Sequence, residues 1–209
     1  MTESEEPPPH RPKRVIDARS LRGLAHPLRM KLLQLLRLDG PATATGLAAR
    51  LGENTGTTSW HLRQLAEHGF ITEDPDRGSR RERWWRAVDQ STVLRGAEFL
   101  DDPDTRGPLQ VVLHEYLNHS FGLAAAFLAE VDQWAPGWLS ASTMSDWDNL
   151  RLTPDRLRRL NDELIATVDR YRDSPDTDSG TDSGTDADPA SEPVIVQLQS
   201  FPRHRRAGS

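Results

Sequence analysis

The 209-residue chain contains no cysteine, which removes disulfides, thiolate zinc sites, iron–sulfur clusters and thiol catalysis together. A metal would have to be held by histidine and carboxylate ligands alone. No apolar run approaches the roughly 20 residues that span a bilayer, and the acidic, proline-rich opening MTESEEPPPH is unlike a signal peptide, so a cytoplasmic protein with no membrane partner is expected. A nucleophile elbow, a phosphate-cradling glycine loop and a paired-carboxylate site are all missing. The chain is therefore read as no enzyme, and it calls for no cofactor and no metal. Lysine is scarce as well: of 26 basic residues all but Lys13 and Lys31 are arginine, a side chain whose planar fork suits phosphate.

What is present, 35% hydrophobic and 28% charged residues with a net charge of −6, fits one or two modest globular domains. The net charge conceals an asymmetry. Residues 11 to 100 carry 16 basic against 10 acidic side chains, and residues 101 to 209 carry 10 against 19. A polyanionic partner is thus expected on the first half alone.

Residues 1–14, with PPPHRP, read as a disordered tail. A compact segment, 15–88, follows. Leu28, Leu32, Leu35 and Leu36 recur at helical spacing after Pro27, and Asp39-Gly40-Pro41 ends that helix. A short helix after Thr43 offers Leu47, Ala48 and Leu51 as its apolar face and stops at Gly52. The next is predicted to start at Asn54 as N-cap, to bury Thr58, Leu62 and Leu65, and to close on Gly69. The period then changes from helical to alternating: 70–74, a turn at Pro75-Asp76-Arg77-Gly78, and 81–88 carry a β-hairpin signal. Three helices followed by a hairpin is the winged-helix order.

Beyond residue 104 the apolar residues from Leu109 to Trp134 hold helical spacing, predicting a helix from Pro108 to Trp134 of roughly 40 Å. Pro136-Gly137 should stop it, 147–153 reads as a strand, and Thr153-Pro154 opens a helix with Leu157, Leu160, Leu164, Val168 and Tyr171 on one face. Residues 173–193 read as an acidic disordered linker. VIVQLQSF, within 194–202, is expected to return as a strand beside 147–153, ahead of a basic tail at 203–209. The expected fold is mainly α with a small β component: a winged helix-turn-helix domain at 15–88, then a long-helix dimerisation or effector domain at 105–172 with a small C-terminal β-pairing.

At AHPLRMKLLQLL, LAARLG, TSWHLRQLAEHGFI and the arginine-rich hairpin the chain resembles the ArsR-like winged-helix transcriptional regulators. The core of the pattern, Ser59, His61, Leu62, Leu65 and Gly69, stands in register over about residues 17 to 88. The chain departs from the pattern at Gly46, where the family often has Glu, and in lacking the cysteine motif of the metal-sensing members. The resemblance implies DNA binding and homodimerisation, not arsenic or cadmium sensing, and it favours a repressor that occupies an operator.

On that reading Thr55, Thr57, Ser59, Trp60, His61, Arg63 and Gln64 of the third helix meet a double-stranded DNA operator, with Thr55, Thr57, Trp60, His61 and Gln64 forming its exposed stripe. His61 has a second reading, packing against the first helix. Arg77, Arg80, Arg81, Arg83 and Arg86 crowd five guanidiniums onto the hairpin against Glu82 alone within 77–86, and their mutual repulsion calls for phosphate. His114 and His119, five apart, lie about 140° apart around a helix, the wrong spacing for a zinc pair. Leu113, Tyr116, Leu117, Ala124, Phe127 and Leu128 are the expected dimer interface. Trp134, Trp138 and Trp147 are either core or the wall of a pocket for a small apolar effector. The rival from another class is a winged-helix module that binds protein and not DNA, and the arginine-rich hairpin weighs against it.

Overall fold

The computed structural model describes residues 14–77, 82–89, 92–94, 96–148, 150–172 and 191–203. Leucines at helical spacing and strong local caps build the first unit, Arg11–Ala126. After a two-residue strand, β1 (Arg14–Val15), the Asp17 side chain accepts the Ser20 N–H at 2.7 Å and starts α1 (Ala18–Leu24), a helix with no counterpart in the sequence reading. His26 caps α2 (Pro27–Leu38), whose first residue is Pro27. Thr43 closes a short strand, β2 (Ala42–Thr43), and its hydroxyl caps α3 (Ala44–Leu51). Asn54 caps α4 (Thr55–Glu67), as its sequence predicted. Gly52 and Gly69 take φ of 66° and 69° just past α3 and α4, a left-handed turn that a β-carbon would disfavour.

Leu21, Leu32, Leu36, Leu47, Leu62, Leu65, Phe70 and Ile71 are almost fully enclosed, so the four helices share one core. Each such side chain contributes about 1.5–3 kcal/mol of transfer free energy. The hairpin has the expected alternation. β3 (Ile71–Glu73) pairs antiparallel with β4 (Trp84–Ala87), Ile71 opposite Ala87 and Glu73 opposite Trp85. Trp85 enters the core while Arg83 and Arg86 stay exposed. β4 also pairs with β2, giving a three-stranded sheet in the order β2-β4-β3, and β1 pairs in parallel with β5 (Thr92–Val93). Arg37 at the end of α2 donates to the Asp89 carbonyl at 2.9 Å, which ties the chain just past β4 to the helical core. The fold class is mainly helical with a small sheet, as expected.

The long helix differs from its expected range. α5 runs from Pro103 to Ala129, with Pro108 inside it. Asp102 is the reason: its side chain accepts the Asp104 N–H at 2.9 Å, its carbonyl accepts from Thr105 and Arg106, and Pro103 fills the first helical position. Thr105 and Arg106 fasten this start to the carbonyls of Phe99 and Leu100. Leu109 and Val112 belong to the first core, and the boundary between compact units falls within α5, at Ala126.

The second unit, from Phe127 onward, holds the end of α5, α6 (Pro136–Ala141) and α7 (Pro154–Arg172). Pro136, expected as a stop, is the first residue of α6, a position that needs no N–H. Thr153 caps α7 as predicted, its hydroxyl accepting the Arg156 N–H at 3.3 Å. Neither expected strand forms. Where described, residues 147–153 and 191–203 are assigned no strand, and Val194, Ile195, Val196, Leu198 and Phe201 are exposed. Alternating apolar residues specify a strand only where a sheet edge is on offer. Residues 173–190 of the expected linker at 173–193, and 1–13 and 204–209 of the expected tails at 1–14 and 203–209, lie outside the described residues. Among the described residues of this unit no apolar side chain is buried.

Candidate nucleic-acid interface

The α3–turn–α4 pair presents the outer face of α4. Asn54 holds its first turn open to solvent by accepting the N–H groups of Gly56 and Thr57 at 2.7 and 3.4 Å. Thr58, Leu62 and Leu65 face the core, as their spacing predicted. Thr55, Thr57 and Arg63 are exposed, Ser59 and Gln64 half-buried. Trp60 is 51% exposed, an indole with no core role.

His61 is the exception to the predicted stripe. It is 5% exposed and packs its ring on His26 at 4.3 Å. Three residues from Thr58 on a helix, it shares the buried face, so of its two readings the structure carries the packing one. Burial, then the neighbouring His26, hold its imidazole below the ordinary histidine value.

Two polar groups on the exposed face are already engaged. Gln64 donates to the Glu67 carboxylate at 2.8 Å, and the Arg63 guanidinium returns to the Ser59 carbonyl at 3.2 Å. Both bonds are on the surface, where a base or phosphate can replace them at small net cost.

The hairpin arginines are less crowded by like charge than the count within 77–86 suggested. Arg83 pairs with Glu73 across the hairpin at 3.1 Å, and Arg77 with Asp74 at 3.6 Å. Glu73 ends β3 and Asp74 follows it, so both acids lie outside the 77–86 segment. Repulsion therefore does not by itself demand a polyanion. The Arg83–Glu73 pair is exposed and worth less than about 1 kcal/mol, and in the looser Arg77–Asp74 contact only the arginine is exposed. Arg86 is exposed, and Arg80 and Arg81 lie outside the described residues.

On α5 the six expected interface residues sort into two rows. Tyr116 and Phe127 fall in line with Leu109, Val112 and Ser120, which are buried, but Tyr116 is itself exposed and Phe127 half-buried, its ring 6.5 Å from Trp134. Leu113, Leu117, Ala124 and Leu128 form a second row about 90° away at 3.6 residues per turn. Phe121, absent from the sequence reading, sits in the middle of that second row and is 76% exposed. Its signal was available in the spacing 113, 117, 121, 124, 128. The three tryptophans do not form an aromatic wall: Trp134 and Trp138 are half-buried, but Trp147 is 76% exposed. Among the described residues no group of three or more metal-ligating side chains converges, and no helix is long and apolar enough to cross a membrane.

Residues 24–74 match the family model of a helix-turn-helix domain. The matched stretch takes in α2, α3, α4 and β3 and ends before β4. No curated protein matches the chain.

Proposed function

We propose that the protein is a homodimeric, sequence-specific DNA-binding transcriptional regulator that represses by occupying its operator. The observation that carries the reading is the exposed face of α4, with Thr55, Thr57, Trp60, Arg63 and Gln64 standing on a helix whose other side is locked into the core. The helix-turn-helix match over 24–74 supports it. Threonine hydroxyls, an amide and a guanidinium are the donors and acceptors that read base edges in a major groove, and Trp60 supplies an apolar plane beside them. Arg77, Arg83 and Arg86 on the hairpin provide sequence-independent phosphate contacts.

Dimerisation follows from reach and from uncovered apolar surface. One recognition helix spans too few base pairs to select an operator, whereas a two-fold pair reads half-sites about one helical turn apart. The second row of α5, Leu113, Leu117, Phe121, Ala124 and Leu128, is the apolar surface a second copy would cover, and the absence of buried apolar side chains among the described residues beyond Val112 fits a chain that completes its packing on pairing. An apolar effector has weaker support, since Trp147 stands apart in solvent. A protein-binding wing would call for apolar residues, whereas Arg77, Arg83 and Arg86 are exposed on the described part of this hairpin.

The test is selection of duplexes from a random-sequence pool by the full chain. Recovery of a sequence with two-fold symmetry is the expected result, and Thr57→Ala or Gln64→Ala should lower its preference over random DNA by about 1–3 kcal/mol with little change in non-specific binding. A pool that emerges without enrichment removes sequence-specific binding.

A further inference from the structure

Two histidine rings that play no part in the DNA reading join the start of α2 to the middle of α4. Their centroids are 4.3 Å apart at 44°. His61 also meets Trp60 at 4.7 Å and 79°, so a row of three rings runs from the cap of α2 to the indole on the outer face of α4. The two histidines share a requirement to be neutral. His26 caps α2 by accepting the Leu28 N–H at Nδ1, at 3.1 Å, and a proton on that nitrogen would set donor against donor. The charge would also stand at the positive end of the α2 dipole. His61 Nδ1 is enclosed with no hydrogen-bond partner, so a proton placed there has no acceptor.

The charged groups acting on the pair are Arg29 from α2 and Glu53 from the turn before α4, with opposite signs. Burial is the largest influence on both rings. It holds both below the ordinary histidine value, with Arg29 adding to the effect at each and His26 adding to it at His61. We propose that His26 and His61 form a proton-operated latch: with both rings neutral it holds α4 against α2, and protonation of either ring opens it and displaces Trp60 from the DNA-facing surface. The consequence at DNA rests on the proposed function, whereas the latch itself rests on the ring contact, the His26 cap and the enclosed His61 Nδ1.

The sign is fixed by linkage. The folded chain keeps these imidazoles below their unfolded value of about 6.5, so the unfolded chain binds more protons in that window. The stabilisation is complete above the unfolded value and is lost as pH falls through it toward the folded values. Generic acidification acts the other way at DNA, since added positive charge tightens phosphate binding. Release of a duplex on acidification is therefore distinctive.

The experiment uses the full chain between about pH 8 and about pH 5.5, the histidine range. NMR titration of the ring protons should place both imidazoles below about 6.5. In urea unfolding, the equilibrium constant should rise with falling pH by up to about tenfold per pH unit for each ring, beyond what His26→Asn combined with His61→Gln shows. His26→Asn keeps a capping acceptor and by itself should remove one ring's share, so the test survives if His61→Gln does not fold. A duplex recovered from a random pool at about pH 8 should be released on acidification by the wild type, and at lower pH by His26→Asn. Rings that titrate at or above about 6.5, or a double variant with the wild-type pH slope, overturn the latch. Titration as stated in a chain that binds no duplex at any pH upholds the latch and removes the DNA reading.

Discussion

Gly23 shows how much a single position decides. A β-carbon built there would stand 2.5 Å from Cγ of the His68 ring, so α1 approaches the end of α4 only because residue 23 has no side chain. Gly23→Ala should destabilise the domain by about 1–3 kcal/mol in urea unfolding, and His68→Ala in the same chain should recover part of the loss. An unchanged midpoint for Gly23→Ala would mean that the ring swings clear without cost. Trp60 poses the opposite case, since half of it is in solvent. Trp60→Ala should weaken duplex binding while shifting stability by no more than about 1 kcal/mol. A melted domain would make the indole a core residue. The sequence reveals Thr58, Leu62 and Leu65 as the buried face of α4 because apolar spacing states it directly. His61 was harder to place: a histidine has both polar and apolar surface, and its partner, His26, lies 35 positions away on another helix.

Among the elements, α5 illustrates why boundaries are less legible than existence. Its apolar periodicity announces a long helix, but Gly107-Pro108 looks like a start, and the true start, Asp102 followed by Pro103, lies one turn and more upstream. Its two apolar rows were equally difficult to separate, because a helix apolar on two sides gives a diffuse pattern. The second row makes a sharp prediction. Phe121→Glu or Leu117→Glu places a carboxylate in the proposed interface at a cost of several kcal/mol if it stays charged, so either variant should sediment as a monomer or aggregate. A dimer unaffected by both would put the interface elsewhere, with α7 the next candidate. The hairpin yields a test of its own from the Arg83–Glu73 pair. Glu73→Gln frees that guanidinium, and the salt dependence of duplex binding should steepen by up to about 0.9 in log–log slope. An unchanged slope would show that this arginine points away from phosphate.

At the scale of the whole chain, the charge asymmetry anticipates where the candidate interface lies: the basic half carries the helix-turn-helix and the hairpin, the acidic half does not. Caps and leucine spacing likewise made the helix-turn-helix core legible, since each is a local signal. The C-terminal strand was not, because VIVQLQSF has the alternation of a strand but forms none among the described residues, and pairing is decided by distant residues. Its apolar side chains are exposed, and the Ser200 hydroxyl meets Asn161 on α7 at 2.6 Å. Truncation before residue 191 should therefore change the unfolding free energy by no more than about 0.5 kcal/mol, where loss of a paired strand would cost several times that.

Duplex selection followed by footprinting on the recovered sequence decides whether two copies of α4 read DNA together. A protected site with two-fold symmetry is expected, its half-sites about 10 base pairs apart centre to centre. Protection should disappear with Phe121→Glu, which leaves α4 untouched, and its sequence preference should relax with Thr57→Ala. An asymmetric site bound equally well by the Phe121→Glu monomer would contradict joint reading by two copies.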